Sequence, residues 1–107
     1  AQMSARFVVA ARAGEITEGQ QKLVRLEGKA IVLCMSDGQI FAIENRCTHD
    51  NEQLLGGAMK KCTIVCPMHG ARFSLKNGAP LAGPAFEPLT IYPVRLAGGD
   101  IEVDLGG

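Results

Sequence analysis

A chain of 107 residues with 47% hydrophobic and 21% charged residues has the composition of a folded globular domain, which excludes a disordered segment. Eleven basic residues balance eleven acidic ones, so no summed positive charge favours non-specific binding to nucleic acid or to an anionic membrane. The length suits a single domain over residues 1–107. The early apolar run from Phe7 to Ala11 is too short for an export signal or a membrane span, which predicts a cytoplasmic protein.

Short apolar runs alternate with turn signals along the chain, and few apolar residues recur at helical spacing. This pattern predicts an all-β domain. The predicted strands are Arg6–Ala11, Gln21–Leu26, Ala30–Met35, Ile40–Glu44, Leu89–Leu96 and Ile101–Leu105. Asp37-Gly38 and Gly98-Gly99 are predicted to form hairpin turns, because these residues tolerate the positive φ angles of a type I′ turn. Pro93 has no backbone N–H, which predicts an edge position or a bulge for its strand.

The sequence changes character between Asn45 and Pro88. Short apolar pieces at Thr63–Val65 and Arg72–Leu75 are separated there by loops rich in Gly, Pro, Asn and His. We interpret residues 45–88 as a smaller layer inserted between two strands of a β-sandwich. A segment of about forty residues is usually too small to fold without a metal or a covalent staple. A bound metal would therefore stabilise this inserted subdomain.

Both histidines and two of the four cysteines lie in two short motifs of this layer, Cys47 with His49 and Cys66 with His69. Thiolate sulfur and imidazole nitrogen are ligands that soft and borderline metals prefer, so the four residues form a complete set for zinc or an iron–sulfur cluster. Structural zinc sites usually group like ligands, whereas each motif here mixes one Cys with one His. The mixed motifs favour a binuclear centre with two unlike irons.

The spacing C-x-H, sixteen residues, then C-x2-H resembles the motif of the Rieske family. Pro67 and Gly70 lie where that family has them in its second loop, and Gly83-Pro84-Ala85 resembles the Pro-rich third loop that covers the cluster. The resemblance implies a Rieske-like β-sandwich with an inserted cluster-binding subdomain and one [2Fe–2S] cluster per chain. The ligands that it implies are Cys47 and Cys66 on one iron, and His49 and His69 on the other.

The chain also departs from the respiratory branch of the family. That branch has a disulfide between its two ligand loops, and the corresponding positions here are Glu52 and Met68. It also has two hydroxyl groups that donate hydrogen bonds to cluster sulfur, whereas this chain has Ala71 and Phe73. Fewer donors destabilise the reduced cluster, and Asp50 adds negative charge, so we expect a potential near the low end of about −150 to +300 mV.

The remaining cysteines have simpler interpretations. Cys62 could join Cys47, Cys66 and one His in a Cys3His zinc site, but the segment from Cys62 to Val65 alternates like a half-buried strand. We therefore interpret Cys62 as a small buried apolar residue, and Cys34 likewise as core. Lys60-Lys61 is interpreted as a solvated turn rather than a docking patch.

The resemblance implies a soluble monomer without catalytic residues that carries one electron from a ferredoxin reductase to a terminal ring-hydroxylating oxygenase acting on an aromatic or related substrate. Both partners are expected to dock transiently near His49 and His69. The length excludes the oxygenase itself, which needs a further iron site with two His and one carboxylate ligand. Both histidines of this chain are already assigned to the cluster, so none remains for such a site. Two alternatives stay open: a small subunit of a larger oxidoreductase such as nitrite reductase, and a zinc-stabilised interaction module.

Overall fold

The computed structural model describes residues 7–46, 54–67, 70–82 and 88–105. These residues form β-strands and one 3₁₀ turn at Ala13–Glu15, which confirms the all-β prediction. No helix in these ranges is long and apolar enough to cross a membrane. The strands are β1 (Phe7–Arg12), β2 (Gln21–Leu26), β3 (Lys29–Ser36), β4 (Gln39–Glu44), β5 (Met59–Lys60), β6 (Thr63–Val65), β7 (Arg72–Ser74), β8 (Pro80–Ala82), β9 (Ile91–Tyr92), β10 (Val94–Ala97) and β11 (Asp100–Asp104).

The strands form three antiparallel sheets. The first sheet has the order β1-β11-β10, the second β2-β3-β4-β9, and the third β5-β6-β7-β8. The third sheet is built from residues that lie between β4 and β9 in the chain, inside the segment that the sequence predicts as an insertion. The bounds 45–88 of a separate subdomain stay a prediction.

Strand β3 explains how the sheets stack, because both of its faces are buried. Ile31 and Leu33 belong to a core shared with Ile101 and Val103 of the first sheet. Their neighbours Val32 and Cys34 belong to a second core, which includes residues of the third sheet. Since successive side chains of a strand point to opposite faces, the second sheet lies between the other two. Each fully buried aliphatic side chain contributes about 1.5–3 kcal/mol to folding.

Both predicted hairpin turns have the two positive φ angles that a type I′ turn requires. Asp37-Gly38 has φ angles of 57° and 75°, and Gly98-Gly99 has φ angles of 60° and 86°. Two further turns of the same kind were not predicted, Glu27-Gly28 between β2 and β3 and Lys61-Cys62 between β5 and β6. Glu, Lys and Cys rarely adopt positive φ, so these residue types do not mark a turn in the sequence.

The prediction of one strand over Leu89–Leu96 is wrong. The segment forms two strands in different sheets: β9 pairs with β4 of the second sheet, and β10 pairs with β11 of the first. Pro93 separates them because it cannot donate a ladder hydrogen bond. Both strands lie at sheet edges, which confirms the edge position predicted from Pro93.

Ser36 is the buried polar side chain that joins the second and third sheets, with 4% of its surface exposed. Its Oγ accepts a hydrogen bond from the backbone N–H of Cys62 at 3.0 Å, and the Cys62 carbonyl accepts one from the Leu75 N–H at 2.8 Å. The turn between β5 and β6 is therefore attached both to the end of β3 and to the end of β7.

Replacing Ser36 by alanine is expected to lower the free energy of unfolding by about 1–3 kcal/mol, because the buried Cys62 N–H loses its acceptor. Urea denaturation measures the loss. Ser74→Ala is the matched control, since the Ser74 Oγ accepts from the Lys76 N–H in an exposed position where water can replace it. Equal losses in the two variants would contradict the role of Ser36.

Candidate metal centre

Cys66 is the predicted ligand that lies within the described residues. The other three predicted ligands lie outside them, and so do further residues named from the sequence: Cys47, His49, His69, Asp50, Glu52, Met68 and Gly83-Pro84-Ala85. Ala71 and Phe73, which also distinguish the chain from the respiratory branch, are described and fully buried. The placement of the four ligands relative to one another therefore stays a prediction. The described residues show how the chain enters and leaves each ligand loop.

The second ligand loop joins β6 to β7 and is closed at its base by backbone hydrogen bonds. Val65 pairs with Arg72, and the Cys66 N–H donates to the Ala71 carbonyl at 2.7 Å. The Gly70 N–H donates to the Cys66 carbonyl at 3.1 Å, and Gly70 has a φ of +75° that an L side chain rarely adopts. The backbone is therefore fixed on both sides of the Cys66 to His69 motif.

Cys66 is a buried free thiol, with 1% of its surface exposed. It belongs to an apolar core that includes Leu54, Ile64, Ala71 and Phe73. Pro67 and Gly70 of the same loop are exposed. A thiolate in such surroundings needs a nearby positive charge, because burying an unpaired charge is costly. A metal ion supplies that charge, so the chemistry of this position fits a soft-metal ligand.

The first ligand loop is closed by the side chain of Asn45. Its Oδ1 accepts hydrogen bonds from the backbone N–H groups of Leu54 at 2.9 Å and Leu55 at 3.0 Å. Asn45 lies at the end of β4, two residues before Cys47, so one amide group ties the entry of this loop to its exit. Asn45 was not identified from the sequence, and an Asn two residues before the C-x-H motif is the signal that could have found it.

The chain leaving the first loop runs directly against the strand entering the second. The Gly57 N–H donates to the Leu54 carbonyl, and the Val65 N–H donates to the Ala58 carbonyl, both at 2.9 Å. A Cβ atom on Gly57 would lie 2.1 Å from the Val65 carbonyl oxygen, so only glycine permits this approach. The exit of the Cys47 and His49 loop therefore lies beside the residue that precedes Cys66.

Gln21 of β2 fixes this contact from the second sheet. Its Nε2 donates to the Gly57 carbonyl at 2.6 Å, and its Oε1 accepts from the Gly56 N–H at 2.7 Å. Gln21 was not identified from the sequence either. Because the residues that it joins are 35 and 36 positions away along the chain, no local pattern marks it.

Cys34 and Cys62 are buried free thiols in the same core as Cys66. The interpretation of both as core residues is confirmed. The predicted strand position of Cys62 is wrong, since Cys62 lies in the β5–β6 turn with a φ of 62°. Among the described residues, no three His, Cys, Asp or Glu side chains are placed to share a metal ion. The three described cysteines therefore do not form a site of their own.

The Cys34 thiol gives a pH dependence that can be measured. Burial raises its pKa from the ordinary 9.0 to about 12. Between these values the folded chain keeps the proton and the unfolded chain loses it, so stability falls as the pH rises from about 9 to 12. The slope is about 1.4 kcal/mol per pH unit for one thiol.

Denaturation at pH 8, 10 and 11 tests this expectation with Cys34→Ala as the comparison. The variant is expected to lose stability less steeply with pH than the original chain, since it has no thiol at this position. Parallel pH profiles for the two proteins would contradict the assignment.

The chain matches a known protein family and a known ferredoxin subunit over most of its length. Residues 6–93 match the family of the Rieske [2Fe-2S] domain. The ferredoxin subunit of 3-phenylpropionate/cinnamic acid dioxygenase from Escherichia coli K12 is 36% identical over 100 residues, which are 92% of each chain.

Solved structures agree with these matches. The ferredoxin of carbazole 1,9a-dioxygenase from Nocardioides aromaticivorans IC177 superposes with a TM-score of 0.87 at 27% identity, covering 94% of this chain and 98% of that one. A chain in the complex of reduced oxygenase and oxidized ferredoxin in carbazole 1,9a-dioxygenase superposes with a TM-score of 0.86 at 25% identity, covering 94% of both chains. The likeness extends over nearly the whole length of each of these chains.

Proposed function

Because the chain belongs to the Rieske [2Fe–2S] domain family, we propose that it holds one cluster and carries single electrons from a ferredoxin reductase to the terminal oxygenase of a ring-hydroxylating dioxygenase system. The observation that carries this proposal is the match to a dioxygenase ferredoxin subunit over 92% of both chains. The chain is therefore the electron carrier of such a system and not its catalytic component.

The proposed ligands are Cys47 and Cys66 on one iron and His49 and His69 on the other. The described residues support this set, because Cys66 is buried at the base of a closed loop and the exit of the other ligand loop lies against Val65. When bound, the cluster accepts and releases one electron, and two neutral imidazoles raise its potential above that of all-Cys ferredoxins. The hydrogen bonds at Asn45, Gly57 and Cys66 fix the backbone at the ends of the two ligand loops.

We propose that the reductase and the oxygenase dock near His49 and His69 in the two ligand loops. Pro67 and Gly70, the described neighbours of Met68 and His69 in the sequence, are exposed, whereas Cys66 is buried. Such a small contact suits a transient carrier, whose interfaces bury less than about 1,200 Å². We further propose a monomer in the cytoplasm, where the three described free thiols are expected to stay reduced.

Reconstitution tests this function. The cluster-loaded protein is combined with the reductase and the oxygenase purified from the cells that produce it, and hydroxylated product is measured. We expect hydroxylated product to form only when the chain is present, and catalytic amounts of the chain to be sufficient. Equal product without the chain would overturn the proposal. A chain that elutes in gel filtration only as part of a permanent large complex would favour the small-subunit alternative instead.

A further inference from the structure

The charges of this chain are distributed unevenly although they sum to zero. Residues 53–86 contain four basic residues and no acidic one. The other seven basic residues share the rest of the chain with all eleven acidic residues. The segment that carries Cys66 and His69 is therefore positive relative to the rest of the chain. The four basic residues are Lys60, Lys61, Arg72 and Lys76.

Three of these cations line a groove of about 420 Å³ on the outer face of the third sheet. Ile64 and Phe73 point from this sheet into the core and are fully buried, so their neighbours along the strands point outward. The groove has apolar and small residues between its charged ones. Its lining residues are Ala58, Met59, Lys60, Lys61, Thr63, Val65 and Arg72.

The positive charge of the groove is available to a partner. Lys60, Lys61 and Arg72 are exposed, and the described residues that line the groove include no carboxylate. Within the described ranges, none of the three forms an ion pair with an acidic side chain. Other basic side chains of the described chain are paired, as Lys22 is with Glu15 at 3.3 Å and Arg95 with Glu102 at 2.7 Å.

The groove adjoins the base of the second ligand loop. Val65 directly precedes Cys66, and Arg72 is the residue opposite Val65 on β7. A protein seated in the groove would therefore also lie next to the loop that carries His69. Lys60-Lys61 was interpreted from the sequence as a solvated turn; the turn is present, and Arg72 across the sheet makes it part of a larger cationic patch.

We propose that this cationic groove docks an acidic surface segment of the terminal oxygenase. The inference rests on the proposed function, and the oxygenase is chosen because a solved complex of a related system joins oxygenase and ferredoxin. Opposite charges on the two surfaces would speed their encounter and fix the orientation in which the ligand loop faces the oxygenase.

The test is a charge reversal on the groove. Lys60→Glu/Arg72→Glu reverses two groove cations, and Arg25→Glu/Lys29→Glu makes the same chemical changes at exposed positions of the second sheet. Lys60→Arg/Arg72→Lys keeps the groove charge. Stopped-flow mixing of each reduced, cluster-loaded protein with the oxygenase from the same cells gives the second-order rate constant, and equilibrium titration gives the midpoint potential.

We expect the groove reversal to slow the second-order reaction about tenfold or more at low salt, because steering contributes 10 to 10³-fold to such rates. The difference should shrink toward zero near 1 M salt, where charges are screened beyond about 3 Å. The control reversal and the charge-conserving variant are expected to react like the original chain.

The groove proposal would be overturned, with the carrier function intact, by equal slowing from both reversals, by slowing that salt does not relieve, or by slowing of the reaction with the reductase alone. If the original chain transfers no electron to the oxygenase, the proposed function fails and the docking proposal fails with it. Slowing by Lys60→Arg/Arg72→Lys would also count against it, since that variant keeps the charge.

Discussion

Replacing Cys66 by alanine is expected to give a colourless protein that binds no cluster and transfers no electrons. Cys66 is one of two proposed thiolate ligands, and it lies in an apolar core with 1% of its surface exposed. Among the described residues, no group of three His, Cys, Asp or Glu side chains is placed to hold a metal ion, so this part of the chain offers no second site for the iron. The loss of iron should therefore be complete rather than partial.

Iron and sulfide analysis together with visible absorption measures this loss. Cys34→Ala is the matched control, because Cys34 is an equally buried free thiol in the same core that is not a proposed ligand. The control is expected to keep a full cluster. An iron content in the Cys66 variant equal to that of the control would show that the ligand assignment is wrong.

Replacing Phe73 by alanine is expected to remove most of the stability of the third sheet. Phe73 is fully buried, it lies opposite Ile64 on β6, and its core joins the second and third sheets. Truncation of a buried Phe costs about 3–5 kcal/mol, since transfer free energy is lost and a cavity remains. A domain of this size has a total stability of about 5–15 kcal/mol.

Urea denaturation of the cluster-loaded protein, followed by visible absorption and circular dichroism, measures the effect. Leu81→Ala on β8 of the same sheet is the control, because Leu81 is 55% exposed and its loss is expected to cost less than about 0.5 kcal/mol. Similar midpoints for the two variants would mean that Phe73 is not the centre of this core.

The sequence predicts those parts of the fold that local patterns encode. β2 was predicted with its observed bounds, and β3 and β4 within one residue at each end, because apolar runs ending at the Asp37-Gly38 turn specify a hairpin. The four ligand positions are predicted from their spacing and stay a prediction; Cys66, the one that the structure describes, is buried. These features depend on neighbours along the chain.

Contacts between distant residues could not be predicted in the same way. The bonds from Gln21 to Gly56 and Gly57 span at least 35 positions, and the closure of the first ligand loop depends on the orientation of one Asn45 amide. Leu89–Leu96 was predicted as one strand because its apolar pattern continues through Pro93. The chain changes from the second sheet to the first at this proline. Tertiary packing determines such features, and local propensity does not predict them.

The most direct test of the proposed centre is pulsed electron paramagnetic resonance of the reduced protein, prepared with natural and with ¹⁵N-labelled histidine. Two strongly coupled nitrogens that change with the label are expected, one from His49 and one from His69, in a protein with two irons and two sulfides per chain. A reduced protein with iron but no nitrogen coupling, or a colourless protein with one zinc per chain, would contradict the Rieske centre.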